Sequence, residues 1–166
     1  MHADELRALQ APLKEKYQDT PEAALITLEA EGSLDEDIAC SVQTGRAIVE
    51  AGLHPATGGD GSLACSGDML LQALVACAGV TLRAVSTSIG VPVVGGRLRA
   101  EGDLDFRGTL GVEREAPVGF RSIRLHFDLD TEASDDDLAT LLRLTERYCV
   151  VFQTLARSPD LSISRG

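Results

Sequence analysis

Apolar and polar residues alternate most strictly near residue 125, where Ile123, Leu125, Phe127 and Leu129 take turns with Arg124, His126 and Asp128. A period of two marks a strand with one buried and one wet face, which predicts a strand from Phe120 to Asp130. Upstream, Val94 to about Phe106 reads as a second strand of the same antiparallel meander, with a turn or bulge through Gly108 to Gly119. The run from Met69 to Val80 behaves differently, for only Gln72 in it is strongly polar. A segment apolar nearly all round belongs in the centre of a core or in a subunit interface. Ser66 or Asp68 can cap it and Gly90 followed by Pro92 can stop it, so a helix is expected from about residue 67 to Ile89.

The remaining elements carry shorter signals. Asp4 to Gln18, with leucines at 6, 9 and 13, suits one or two short amphipathic helices interrupted near Pro12. Ala24 to Glu31 and Ile38 to Thr44, bounded by Gly32 and Gly45, read as strands, and Arg46 to Glu50 as a third. His54-Pro-Ala-Thr-Gly-Gly-Asp-Gly61 is a cluster of turn formers and must be a loop. Ser134 before Asp135, Asp136 and Asp137 opens a helix, because acidic side chains complement its positive end, and apolar residues at 138, 141, 142 and 144 carry it to about Tyr148. Cys149 to Leu155 suits a further short helix before Ser158-Pro159, and Leu161 to Ser164 a final edge strand. The order predicts an α+β protein: residues 1–37 as an N-terminal extension and 38–166 as one globular domain.

Composition narrows the function. Fifteen basic and 26 acidic residues leave a net charge of -11, which disfavours nucleic acid as a partner because phosphate contacts need a basic face. The first residues, Met1-His-Ala-Asp-Glu-Leu-Arg, lack the basic and then apolar pattern of a secretory signal. No apolar stretch is expected to approach the roughly 20 residues that span a bilayer, so no membrane partner and a cytoplasmic location are expected. Four cysteines, at 40, 65, 77 and 149, are too sparse for a secreted disulfide scaffold, and in a reducing compartment they stay thiols.

The candidate chemistry lies in two of those cysteines. Cys77 sits inside the apolar helix and Cys149 ends the segment Leu144-Thr-Glu-Arg-Tyr-Cys149. A thiol in an apolar site is a poor nucleophile unless a cation or a helix N-terminus favours its thiolate. Taken alone, a cysteine in an apolar helix is most often a small core residue. No Cys-x-x-Cys or His-x-x-x-His spacing points to zinc, and Gly58-Gly59-Asp60-Gly61 lacks the lysine and hydroxyl residue of a phosphate loop, so no metal or cofactor is expected. That loop reads instead as a turn letting the backbone pass close to a partner chain. His54 reads as a loop hydrogen-bonder and His126 as a residue of the wet strand face.

In their order and spacing, Gly58-Gly59-Asp60-Gly61, then Asp68-Met-Leu-Leu71 with Cys77 nine residues after Asp68, then Leu144 to Cys149 with Thr154-Leu155 behind, resemble the OsmC/Ohr family over roughly residues 38–164. The resemblance implies an intertwined homodimer whose sheets wrap long central helices. It also implies reduction of organic hydroperoxides by Cys77, with Cys149 as resolving thiol and a dithiol donor, of lipoyl or other type, to reset the pair. Arg46 is the candidate thiolate stabiliser and Asp68 the candidate acidic residue that holds it. The pattern departs from the best-described peroxidases at two places. Ser66-Gly67 stands where they carry Pro-Glu, so Asp68 is turned about 100° from the family glutamate, and Val150 stands where a proline often follows the second cysteine. Cys65, twelve residues before Cys77, could compete as a resolving thiol. Two further readings stand beside the peroxidase: a non-catalytic protein holding a small hydrophobic ligand between subunits, and an interaction module in the first 37 residues.

Overall fold

In the computed structural model, Ser134 caps its helix as the sequence predicts: its hydroxyl oxygen accepts from the Asp137 N–H at 3.2 Å. The structure describes residues 2–5, 8, 11, 32–34, 39–43, 48–111 and 114–165. These include four strands, β1 (Gly32–Leu34), β2 (Ala39–Gln43), β3 (Ile48–Gly52) and β4 (Ala64–Cys65), followed by the long helix α1 (Ser66–Ile89). Strand β5 (Gly95–Asp103), the short helix α2 (Phe106–Thr109), strand β6 (Ser122–Asp130), and helices α3 (Asp135–Tyr148) and α4 (Val150–Ala156) complete the order. The expected strand over Ala24 to Glu31, most of the N-terminal helix and Arg46 lie outside the described residues; residues 3–5, 8 and 11 are helical.

The chain forms two compact units, one of residues 1–15, 73–99 and 126–166, the other of 16–72 and 100–125. In the second unit, β1 to β4 make a sheet in sequence order. β2 pairs antiparallel with β1 and β3, Cys40 standing opposite Leu34 and Ala51, and β4 joins β3 in parallel. Gly32, expected to bound a strand, is itself a strand residue paired with Val42. The His54 loop contains a single 3-10 turn, Pro55–Thr57, and the His54 ring accepts the Ala56 N–H through Nδ1 at 3.0 Å, as expected of a loop hydrogen-bonder. At Gly59 the backbone makes a close approach within the chain: a Cβ built there would fall 1.8 Å from the Leu53 carbonyl oxygen. The turn expected across Gly108 to Gly119 is partly helical, through α2.

The core of the first unit gathers Leu82, Val91 and Leu141, with Val85, Phe127, Leu129 and Leu138 packed against it. Leu141 is completely buried, so α3 is seated by the apolar face that its sequence predicts. Strands β5 and β6 form a two-stranded sheet, antiparallel by its end bonds, Val94 N–H to Asp130 C=O and Arg121 N–H to Asp103 C=O. Along β6, exposed and half-buried residues alternate through all nine positions, with His126 on the wet face.

Two expectations need correction. Helix α1, with 24 residues and a mean hydropathy of 1.6 over its most apolar window, is long and apolar enough to cross a bilayer by length and composition. Its fully buried positions form one stripe, Leu74, Ala78, Leu82 and Ser86, whereas Val80 is 73% exposed. The segment from Leu161 to Ser164 is no strand: it has no ladder partner among the described residues, and Leu161 and Ile163 are exposed. An extended segment becomes a strand only when another satisfies its backbone groups.

Candidate functional site

Two helix segments far apart in sequence meet at a pair of thiols. Cys77 projects from the middle of α1, half-buried. Cys149 separates α3 from α4: its backbone leaves the helical region at φ -73° and ψ 109°, its N–H still donates to the Thr145 carbonyl, and its own carbonyl accepts from Gln153. One residue thus ends one helix and caps the next, and it is only 1% exposed. Thr145 beneath it is buried as well, its hydroxyl donating to the Leu141 carbonyl at 2.8 Å.

The sulfur of Cys77 faces the start of α4. Burial is the largest single influence on this thiol and pushes its pKa up. Hydrogen bonds from the Val151 N–H, the Cys149 thiol, the Val150 N–H and the Thr81 hydroxyl outweigh burial and hold the pKa below the ordinary thiol value. The first N–H groups of a helix have no partner inside it, so they are free to stabilise an anion. Cys149 moves the opposite way. Burial pushes it up, and the hydrogen bond and negative charge of Cys77 push further, while the Phe152 and Val151 N–H groups only partly offset them. The pair is therefore asymmetric, with the Cys77 thiol held below and the Cys149 thiol above the ordinary thiol value. Both are free thiols, as is Cys65.

Of the other predicted residues, Asp68 and Cys65 are described. Asp68 is exposed in the first turn of α1. It stands nine positions before Cys77 on α1, which helix geometry makes roughly 13 Å along the axis and half a turn around it. Arg46 lies outside the described residues. Cys65, in β4, packs beside Gly67, whose built Cβ would lie 3.5 Å from its sulfur and from Phe120. Among the described residues no group of three or more His, Cys, Asp or Glu side chains could hold a metal ion.

Sequence reasoning missed the Val150 and Val151 N–H groups and the Thr81 hydroxyl. The signal for the amides was available in the short apolar helix expected to begin at Cys149, since any helix start presents unpaired N–H groups. Thr81 is one turn beyond Cys77 on the same helix and could have been found from that spacing.

Comparison with known proteins agrees with this architecture. The structure is similar to that of an OsmC-like protein from Mycoplasma pneumoniae, with a TM-score of 0.67 at 16% identity over 80% of this chain and 89% of the other. It is also similar to an organic hydroperoxide resistance protein OsmC from Legionella pneumophila, with a TM-score of 0.62 at 16% identity over 80% and 90% of the two chains. An organic hydroperoxide resistance protein from Elizabethkingia anophelis gives a TM-score of 0.62 at 15% identity over 79% and 89%. At such identities the likeness shows the fold. No curated protein matches the chain significantly by sequence. Residues 59–164, more than half of the chain and including both Cys77 and Cys149, match the family described as OsmC-like protein, and the chain belongs to that family.

Proposed function

We propose that this chain is a thiol-dependent peroxidase that reduces organic hydroperoxides in oxidative-stress defence. The observation that carries the reading is the asymmetric thiol pair, in which the amides opening α4 favour the Cys77 thiolate beside a Cys149 thiol that burial pushes above the ordinary value. Two of the similar structures belong to organic hydroperoxide resistance proteins, which supports the substrate class.

In the proposed cycle, the Cys77 thiolate attacks the terminal oxygen of the hydroperoxide. An S–O bond forms as the O–O bond breaks, and the departing alkoxide takes a proton to leave as an alcohol. Cys77 is then a sulfenic acid. Attack by the Cys149 sulfur, after loss of its proton, forms the disulfide and expels water. An external dithiol reduces that disulfide by exchange and is itself oxidised. Arg46 and Asp68 would add a cation and its orienting carboxylate. The cycle starts from free thiols, which suits a cytoplasmic location. A homodimer would cover the apolar surface that α1 exposes around Val80.

The test is single-turnover thiol loss in the fully reduced protein mixed with stoichiometric cumene hydroperoxide, followed by peptide mapping. Rapid formation of a Cys77–Cys149 disulfide is expected. Slow oxidation spread over all the cysteines would overturn the peroxidase reading and favour a non-catalytic binder of hydrophobic ligands.

A further inference from the structure

A cleft of about 650 Å³ lies at the corner between α3 and α4, lined by Arg143, Glu146, Arg147, Tyr148, Gln153 and Arg157. Three guanidinium groups and one carboxylate make it locally cationic in a chain whose net charge is -11. Arg143 and Arg147 are one helical turn apart on α3, and Arg157 follows the last residue of α4, so the corner brings them together. Arg124, on β6, is paired with Glu101 and Asp103. None of the three cleft arginines is paired with a carboxylate among the described residues. Arg147 instead lies over the ring of Tyr148, 5.7 Å from its centre. Gln153 donates its side-chain N–H to the Glu146 carbonyl at 2.9 Å, which ties the two helices across the corner.

We infer that this cleft binds a small organic anion carrying phosphate or carboxylate groups. Several guanidinium groups without acidic partners repel one another, and a multivalent oxyanion relieves that repulsion while accepting their forked N–H donors. The volume falls within the range of small-molecule sites and exceeds the need of a single inorganic ion. Tyr148, 59% exposed, offers an apolar surface beside the charges. Because the acidic chain repels anions over most of its surface, a local positive field is needed to admit one. The inference does not depend on peroxidase activity.

Pyrophosphate and citrate, titrated into the full chain at constant ionic strength by calorimetry, distinguish the two ligand chemistries. Saturable one-site binding of at least one probe is expected, weakened about tenfold or more in Arg143→Gln/Arg147→Gln. Arg157→Gln, which lies beyond the last helical residue and spares helix propensity, should weaken it too, and Arg97→Gln on β5 should not. Preference for pyrophosphate would assign a phosphate-bearing ligand and preference for citrate a carboxylate. Absence of saturable binding to either probe, or equal binding by the cleft variants and Arg97→Gln, would overturn the inference.

Discussion

Cys77 and Cys149 share one hydrogen-bonded cluster yet shift in opposite directions, the first held below the ordinary thiol value against burial, the second pushed above it by burial and by Cys77. The relationship follows from backbone geometry. Cys149 sits at the break between two helices, so the N–H groups that open α4 point away from their own helix and toward the sulfur on α1.

The asymmetry gives a pH signature. Iodoacetamide should label Cys77 with a midpoint below that of an ordinary thiol and Cys149 with one above it. The lowered group adds stability above its unfolded pKa that is lost as pH falls through the folded value; the raised group adds stability below its unfolded pKa that is lost as pH rises through the folded value. Mass-spectrometric rates at each cysteine across the pH range check the order, and equal midpoints would contradict it.

Val150→Pro separates the amide contribution from the rest. Proline is tolerated at the first position of a helix but has no N–H, so the variant should keep α4 and lose one donor to Cys77. The labelling midpoint of Cys77 should move up, toward that of a free thiol, while the circular dichroism spectrum stays unchanged.

Cys77→Ser should abolish rapid peroxide consumption. Cys149→Ser should permit one turnover and leave a sulfenic acid on Cys77, trapped with dimedone and read by mass spectrometry. A Cys149→Ser protein that cycled as fast as the parent would assign resolution to another thiol, with Cys65 the first to test.

Leu141, with no exposed surface, anchors α3 to Leu82 and Val91. Leu141→Ala should cost about 2–5 kcal/mol in urea unfolding, from lost apolar transfer and the cavity left behind. Ser134→Ala, which removes the helix cap, should cost about 1 kcal/mol by the same measurement.

Gly59→Ala should destabilise the loop after β3 by about 1–3 kcal/mol, because the added methyl meets the Leu53 carbonyl oxygen and not a flexible side chain. Amide exchange of residues 53–62 would report the local opening.

The elements with regular spacing or strong punctuation were readable in the chain itself. The alternation of β6, the Ser134 cap with its acidic first turn, the Gly90 stop and the break at Cys149 all act over a few residues, so their sequence signals survive folding unchanged. Strand ends were less legible: β1 includes Gly32, and Leu161 to Ser164 has no strand partner among the described residues, because a strand exists only by virtue of its neighbour.

The residues themselves determined which side chains could carry chemistry: two thiols in contrasting settings, one in an apolar helix and one at a helix boundary. Only the tertiary structure decided that these thiols meet, that the backbone amides opening α4 attend Cys77, and that three arginines converge at the neighbouring corner. The reason is range. Capping and periodicity depend on near neighbours, whereas the pKa of a thiol depends on groups brought beside it by packing, from residues more than seventy positions away.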